Sequence, residues 1–181
     1  MLLSSNGYYV QFAKEEVPLT GVKAAGVKGM NLKEDFVVSG VSYDEADYLD
    51  VFTNQRTAKR IKVSDFEITG RAKRGNAFIK KVKSVNYQIV QALLMESRDV
   101  VLVKSDSEIR EIKNSDIAIL DMASTGSTIS KYKVDAVSKK VDLESYLKKE
   151  SKQEENISGV KEKEVKIKEF TMEDFLDDFK I

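Results

Sequence analysis

Short apolar runs alternate with polar turns along most of this chain. They fall at residues 2–5 (LLSS), 8–12 (YYVQF), 35–41 (DFVVSGV), 48–53 (YLDVFT) and 58–63 (AKRIKV). Further runs follow at 77–82 (AFIKKV), 87–95 (YQIVQALLM), 99–104 (DVVLVK), 107–112 (SEIREI) and 116–121 (DIAILD). Lengths of four to nine residues with period-2 alternation, separated by SNG, TNQ, SD and glycine turns, predict β-strands. Helical periodicity is poor until the last dozen residues. The single proline, Pro18, lies between strands. Residues 1–147 therefore read as all-β.

The runs repeat. Residues 3–26, 52–75 and 103–126 align without gaps at offsets of 49 and 51. Phe12, Ile61 and Ile112 fall in one column, Val17, Phe66 and Ile117 in another, and Leu19, Ile68 and Ile119 in a third. Glu16, Asp65 and Asp116 share an acid, and Gly26, Gly75 and Gly126 share a glycine. A recurrent glycine predicts a recurrent backbone need, positive φ or close approach. A period near 50 predicts a propeller-like array of about three blade-like units, 1–46, 47–97 and 98–147.

Composition changes near residue 148. Residues 148–169 are charged and without period, which predicts a disordered linker. In residues 170–181, Met172, Phe175, Leu176 and Phe179 share one face of a helix, and Glu173, Asp174, Asp177 and Asp178 occupy the other. Thr171 and Asp174 have the form of a capping box. So short a helix forms only against a partner. From residue 154 onward nine acids face five lysines. Two readings of this tail stand side by side, plain disorder and competition with an anionic ligand for a basic surface.

The chain contains no Cys and no His. Disulfides, thiolate metal sites and histidine-based acid–base or nucleophilic catalysis are excluded. The acids of the tail helix read as a solvated face rather than a metal site. No apolar run reaches transmembrane length, and the start lacks the pattern of a signal peptide. Met1 leads almost directly into a strand, which reads as a fragment boundary.

The formal net charge is zero, but its distribution is uneven. Between Gln55 and Lys83 stand Arg56, Lys59, Arg60, Lys62, Arg71, Lys73, Arg74, Lys80, Lys81 and Lys83, against only Asp65 and Glu67, a net of +8. Such a cluster is the footprint of phosphate binding. Lys23 and Lys28 extend it onto the first unit. TGRAKRGN sets three cations between two glycines, a sequence that can form an anion nest. No GxxxxGK[ST] or GxGxxG loop exists, so polymer phosphate is preferred to nucleotide phosphate. A solvated β face, with lysines guarding its edges, is the structural alternative.

The segments SNGYYVQF, GVKAAGVKGMNL, FTNQRTAKRIKVSDF and GRAKRGNAFIKKV resemble the blade signatures of the C-terminal domain family shared by the A subunits of bacterial gyrase and topoisomerase IV. The resemblance covers about residues 1–147. It implies a β-pinwheel, a propeller-like disc whose blades exchange a strand and whose basic rim bends DNA. The turns GVKAAGVKG, GRAKRGN and DMASTGS lack the QRRGGKG box of gyrase, so the likeness is to the topoisomerase IV branch of Gram-positive type. A full disc of that family has about twice as many repeats, so the chain reads as a partial disc. The third unit is less basic, with Ser107, Glu111 and Met122 standing where Arg56, Arg60 and Arg71 stand in the second.

The resemblance further implies a non-catalytic, DNA-binding and DNA-bending part of a cytoplasmic, nucleoid-associated type IIA topoisomerase. The partners implied are double-stranded DNA, the topoisomerase IV B subunit (ParE) and the breakage-reunion region of the same polypeptide. ATP and Mg, with the catalytic tyrosine, belong to other parts of the enzyme. The seven tyrosines here (Tyr8, Tyr9, Tyr43, Tyr48, Tyr87, Tyr132 and Tyr146) lie mostly in strand-like runs, where packing explains them. A propeller-like module binding acidic proteins is the alternative function. Catalysis by carboxylates such as Asp65 and Asp116 ranks last, because their repetition suits a turn role.

Overall fold

The alternating residues at the start form a hairpin of β1 (Leu2–Ser4) and β2 (Tyr8–Val10). The hairpin recurs as β4 (Tyr48–Thr53) with β5 (Thr57–Lys62), and as β8 (Val100–Ser105) with β9 (Glu108–Lys113). After each second strand comes a single 3-10 turn, at Lys14–Glu16, Val63–Asp65 and Asn114–Asp116. A later strand of the same repeat returns to the first strand of its hairpin. These are β3 (Val37–Gly40), β7 (Ile89–Leu94) and β11 (Ala136–Lys139), all antiparallel. Two short strands cross to the preceding repeat instead. β6 (Asn76–Ala77) pairs with β2, and β10 (Ser127–Thr128) pairs with β5. Three antiparallel sheets result, ordered β3-β1-β2-β6, β10-β5-β4-β7 and β11-β8-β9.

This computed structural model describes residues 1–141 except residue 107. The expected linker and acidic helix of residues 148–181 lie outside the described residues. The all-β expectation holds. Two expected strands do not form over their apolar runs: of 77–82 only Ala77 is in a strand, and 116–121 holds no more than an isolated bridge at Ile119, because both runs belong to the crossing segments. There the ladder gives way to single bonds such as Leu120 N to Arg60 O and Arg60 N to Ala118 O, at 2.9 Å each. β11 is not visible in the pattern, since AVSK is almost entirely exposed.

The crossings need the shared glycine. Gly75 (φ +84°) and Gly126 (φ +94°) are in the left-handed region. A Cβ on Gly75 would lie 1.7 Å from the Tyr9 carbonyl oxygen, and one on Gly126 would lie 2.8 Å from that of Ala58. Both of the backbone needs that a recurrent glycine implies therefore act at once.

The apolar core sits between repeats rather than within them. One cluster joins Leu3 and Tyr9 of the first repeat to Leu49, Val51, Ile61, Phe66 and Phe78 of the second. The Tyr9 ring meets Phe66 edge-on at 4.7 Å between centroids, and its hydroxyl accepts the Glu67 N–H at 3.0 Å. The other cluster joins Phe52 and Ala58 to Val101, Val103, Ile117 and Val134. Each fully buried large apolar side chain contributes about 1.5–3 kcal/mol, so each repeat is stabilised mainly by its neighbour.

One buried pair in this junction responds to pH. Asp50 is fully buried on β4, and its Oδ2 accepts the Asn114 amide at 3.2 Å. Burial pushes its carboxyl up to about 7, against the opposing pull of the Asn114 hydrogen bond and the Arg60 charge. The folded state then holds the proton more tightly than the unfolded chain, whose carboxyl has its usual value near 4. Stability from this site is greatest below about pH 4 and is lost as pH rises to about 7, by a few kcal/mol at most. Asp50→Asn keeps the shape without the charge. Thermal melts are expected to show a higher Tm for the variant at pH 8 and a flatter pH dependence between about 4 and 7.

Candidate nucleic-acid interface

The basic stretch does not form one surface. Lys59 is 1% exposed, and its ammonium lies inside the second junction. It donates to the carbonyl oxygens of Phe78 (2.9 Å), Asp121 (3.0 Å), Met122 (2.9 Å) and Ser124 (2.7 Å). Burial lowers its pKa to about 8, while the nearby Asp121 charge raises it. Arg60 is buried beside it on β5. Its Nε donates to Ile117 O at 2.8 Å and its Nη2 to Ser115 O at 3.4 Å, with the guanidinium over the Tyr48 ring at 5.4 Å. Neither side chain is placed to meet a phosphate, which corrects the expectation for Lys59 and Arg60. Strand alternation alone would have exposed one of them. The crossing loop of the third repeat covers both.

Arg56 and Lys62 are exposed at the two ends of β5. Arg56 holds φ +71° in the hairpin turn and donates to Lys131 O at 3.2 Å. Gly7 has φ +77° at the aligned turn position.

The remaining cations gather where the first two repeats meet. Arg71 Nη1 donates to Lys28 O at 2.9 Å. Ala72 N bonds Gly29 O at 2.7 Å, and Asn31 N bonds Lys73 O at 2.8 Å. These bonds lace residues 28–31 to residues 71–73, so Lys28, Arg71 and Lys73 share one strip. Tyr8 on β2 continues it. The Arg74 guanidinium lies 4.4 Å from its ring centroid and the Lys81 ammonium 4.8 Å. Those two cations hold the Tyr8 phenol below its usual pKa, Lys81 first and Arg74 next. Beyond Lys81, an open cleft of about 220 Å³ is lined by Lys80, Lys81, Lys83 and Asn6. Lys23 is exposed on the loop before Lys28.

Among the described residues, the salt bridges are Arg98–Glu96, Arg110–Glu108, Lys139–Asp99 and Lys140–Glu111. None involves a cation of this strip. Within the described residues a carboxylate meets the strip only at the main chain, where Glu16 Oε2 accepts the Arg71 N–H at 3.4 Å, and cations free of ion pairs are the ones that release counterions on phosphate binding. Among its described residues the third repeat carries no comparable strip, and acids and cations pair along β9. A strand run by itself assigns Tyr8 to packing. Its role as the ring between Arg74 and Lys81 depends on β6 crossing over, which no spacing in the chain displays.

Comparison with known proteins agrees with this architecture. The family model of the DNA gyrase C-terminal domain, a β-propeller, matches residues 1–41 and 47–84. The chain belongs to this C-terminal domain family. It is 35% identical to the A subunit of DNA topoisomerase 4 from Bacillus subtilis over 67% of its length, and 31% identical to that of Streptococcus pneumoniae over 81%. It spans only 15% and 19% of those two proteins. A crystal structure of the C-terminal domain of DNA topoisomerase IV superposes with a TM-score of 0.76 at 34% identity, covering 86% of this chain and 50% of that one. A DNA gyrase A C-terminal domain gives 0.68 at 26% identity, covering 77% and 50%. The β-pinwheel assignment and the likeness to topoisomerase IV of Gram-positive bacteria stand on these matches.

Interior and surface lysines of this family member are expected to behave differently on truncation. Lys59→Met leaves four buried carbonyls without their donor and is expected to cost about 2–4 kcal/mol in urea unfolding. Lys81→Met is expected to cost no more than about 0.5 kcal/mol. Equal small losses would show that the interior ammonium adds nothing to stability.

Proposed function

We propose that this chain binds duplex DNA along the strip formed by Lys28, Arg71, Lys73, Arg74, Lys80, Lys81 and Lys83, with Lys23, Arg56 and Lys62 flanking it. The observation that carries this reading is a run of cations, unpaired among the described residues, that converges on one aromatic ring at a repeat junction. Arg supports bidentate phosphate contacts, and Lys acts as a mobile point charge. Backbone contacts fix position without reading bases, so recognition rests on DNA shape and deformability. A strip engaged at several phosphates favours a duplex deformed to reach them all.

In the parent protein this chain acts as the non-catalytic C-terminal region of a topoisomerase IV A subunit. It guides a DNA segment toward a breakage-reunion region of the same polypeptide. That polypeptide works with the B subunit in ATP-dependent decatenation and relaxation, with ATP and Mg bound elsewhere in the enzyme. Its place of work is the cytoplasm, on the nucleoid. Support comes from the family match and from the names of the similar proteins.

Duplex-DNA affinity across a salt series tests the strip. Changing Lys28, Lys73, Arg74, Lys81 and Lys83 to Ala is expected to flatten the log–log salt slope by roughly 0.9 for each phosphate no longer neutralised, about 4.5 units for all five. An unchanged slope, or no binding even at low salt, would overturn the assignment. Displacement by an acidic protein but not by short duplex would favour a protein-interaction module instead.

A further inference from the structure

The two internal junctions are built alike but close with different chemistry. The repeat alignment matches Thr57 to Tyr8, Thr125 to Arg74 and Tyr132 to Lys81. The strand registers agree, since Tyr8 faces Ala77 on β6 and Thr57 faces Thr128 on β10. In the second junction Thr57 is buried, and its hydroxyl donates to Thr125 O at 2.6 Å. Tyr132 points out to solvent, 55% exposed. No cation stands at any of these three positions. In the first junction the half-buried Tyr8 ring has the Arg74 guanidinium at 4.4 Å and the Lys81 ammonium at 4.8 Å from its centroid. The crossing forms once without a ring between cations, so closing a junction does not require one.

The ring and its cations come from different repeats. Tyr8 belongs to the first, while Arg74 and Lys81 flank β6 in the second. A long cationic side chain left to itself samples many rotamers, and the negative face of a ring limits that freedom by attraction. Arg74 has a competing attraction close by. Together with Glu34 and Asp35 it lines an open cleft of about 390 Å³. Asp35 is held there by the Asn6 and Phe36 N–H groups, which donate to its Oδ1 at 3.1 and 2.8 Å. A ring that keeps Arg74 beside Lys81 keeps it from pairing with these carboxylates.

We propose that Tyr8 is a positioning residue of the DNA strip, its ring holding Arg74 and Lys81 as one pair that meets phosphates together. This rests on the duplex-binding reading of the strip. Tyr8 acts through the two cations rather than on the phosphate. Cations already in place lose less freedom when the phosphates arrive, so the ring raises affinity without adding charge. It also ties the strip to the fold, because the pair is assembled only when the first two repeats are joined.

A double-mutant cycle on duplex-DNA affinity of the intact chain at fixed salt tests this. Tyr8→Leu keeps apolar bulk and removes the ring. It is expected to weaken binding about tenfold on its own, and to have no further effect once Arg74 and Lys81 are both Ala. Tyr8→Phe, which keeps the ring, is expected to recover most of the affinity. A role confined to packing would lower affinity by the same factor in both backgrounds. That result, or a Tyr8→Leu variant that binds like the wild type, would overturn the proposal and leave the strip assigned. No binding by the wild-type chain would overturn the strip and the proposal together. A second readout needs no DNA: the phenol titration followed by NMR of isotope-labelled tyrosine, with the Tyr8 signal identified by its loss in Tyr8→Phe. Lys81→Met and Arg74→Gln are each expected to raise that titration, Lys81→Met the more. A titration that neither substitution moves would show that the pair does not assemble on the ring, and the proposal would fall.

Discussion

Two of the three described sheets take their fourth strand from the next repeat. The donated pieces are only two residues long, yet each brings a crossing loop and an aromatic or aliphatic residue that fills the gap between hairpins. Stability is consequently distributed along the array as a series of junctions. The glycine at each crossing is the narrowest point of this arrangement. It must turn left-handed and touch a neighbouring carbonyl, and no side chain permits both.

The junctions differ in chemistry. The first is largely apolar and aromatic, built on Tyr9, Phe66 and Phe78. The second adds buried polar groups, with Lys59 among carbonyls and Asp50 against Asn114. Buried polar groups must find partners. Lys59 finds them in the loop of the next repeat, so its ammonium links two repeats through main-chain atoms rather than through a carboxylate. Of the exposed cations in the basic stretch, those from Arg71 to Lys83 lie along the apolar junction, while Arg56 and Lys62 stand at the ends of β5.

Much of this order is legible in the chain. The hairpins follow from period-2 alternation, and the recurrent glycine announces both its φ and its close approach. The 3-10 turns and β11 are not legible, because neither has an apolar signature. The candidate site is harder to read than the fold. Spacing can group ten cations, but burial of Lys59 and Arg60 depends on a loop some 60 residues away in the chain. Tyr8 escapes for the same reason, since its two cationic neighbours arrive on residues 74 and 81. Local pattern encodes which residues are strands. Partnership between repeats decides which charges reach water.

The carbonyl cage around Lys59 has a consequence for how this chain behaves as a polyelectrolyte. Formal charge counts every ionised group, and the ion atmosphere answers all of it, but only a solvent-facing cation can pair directly with a phosphate. The two interior cations act on an approaching anion only from a distance, through their field. The stretch from Gln55 to Lys83, formally +8, presents +6 once Lys59 and Arg60 are set aside. Its effective valence is smaller than its composition, and that valence is concentrated toward one seam rather than spread along the segment.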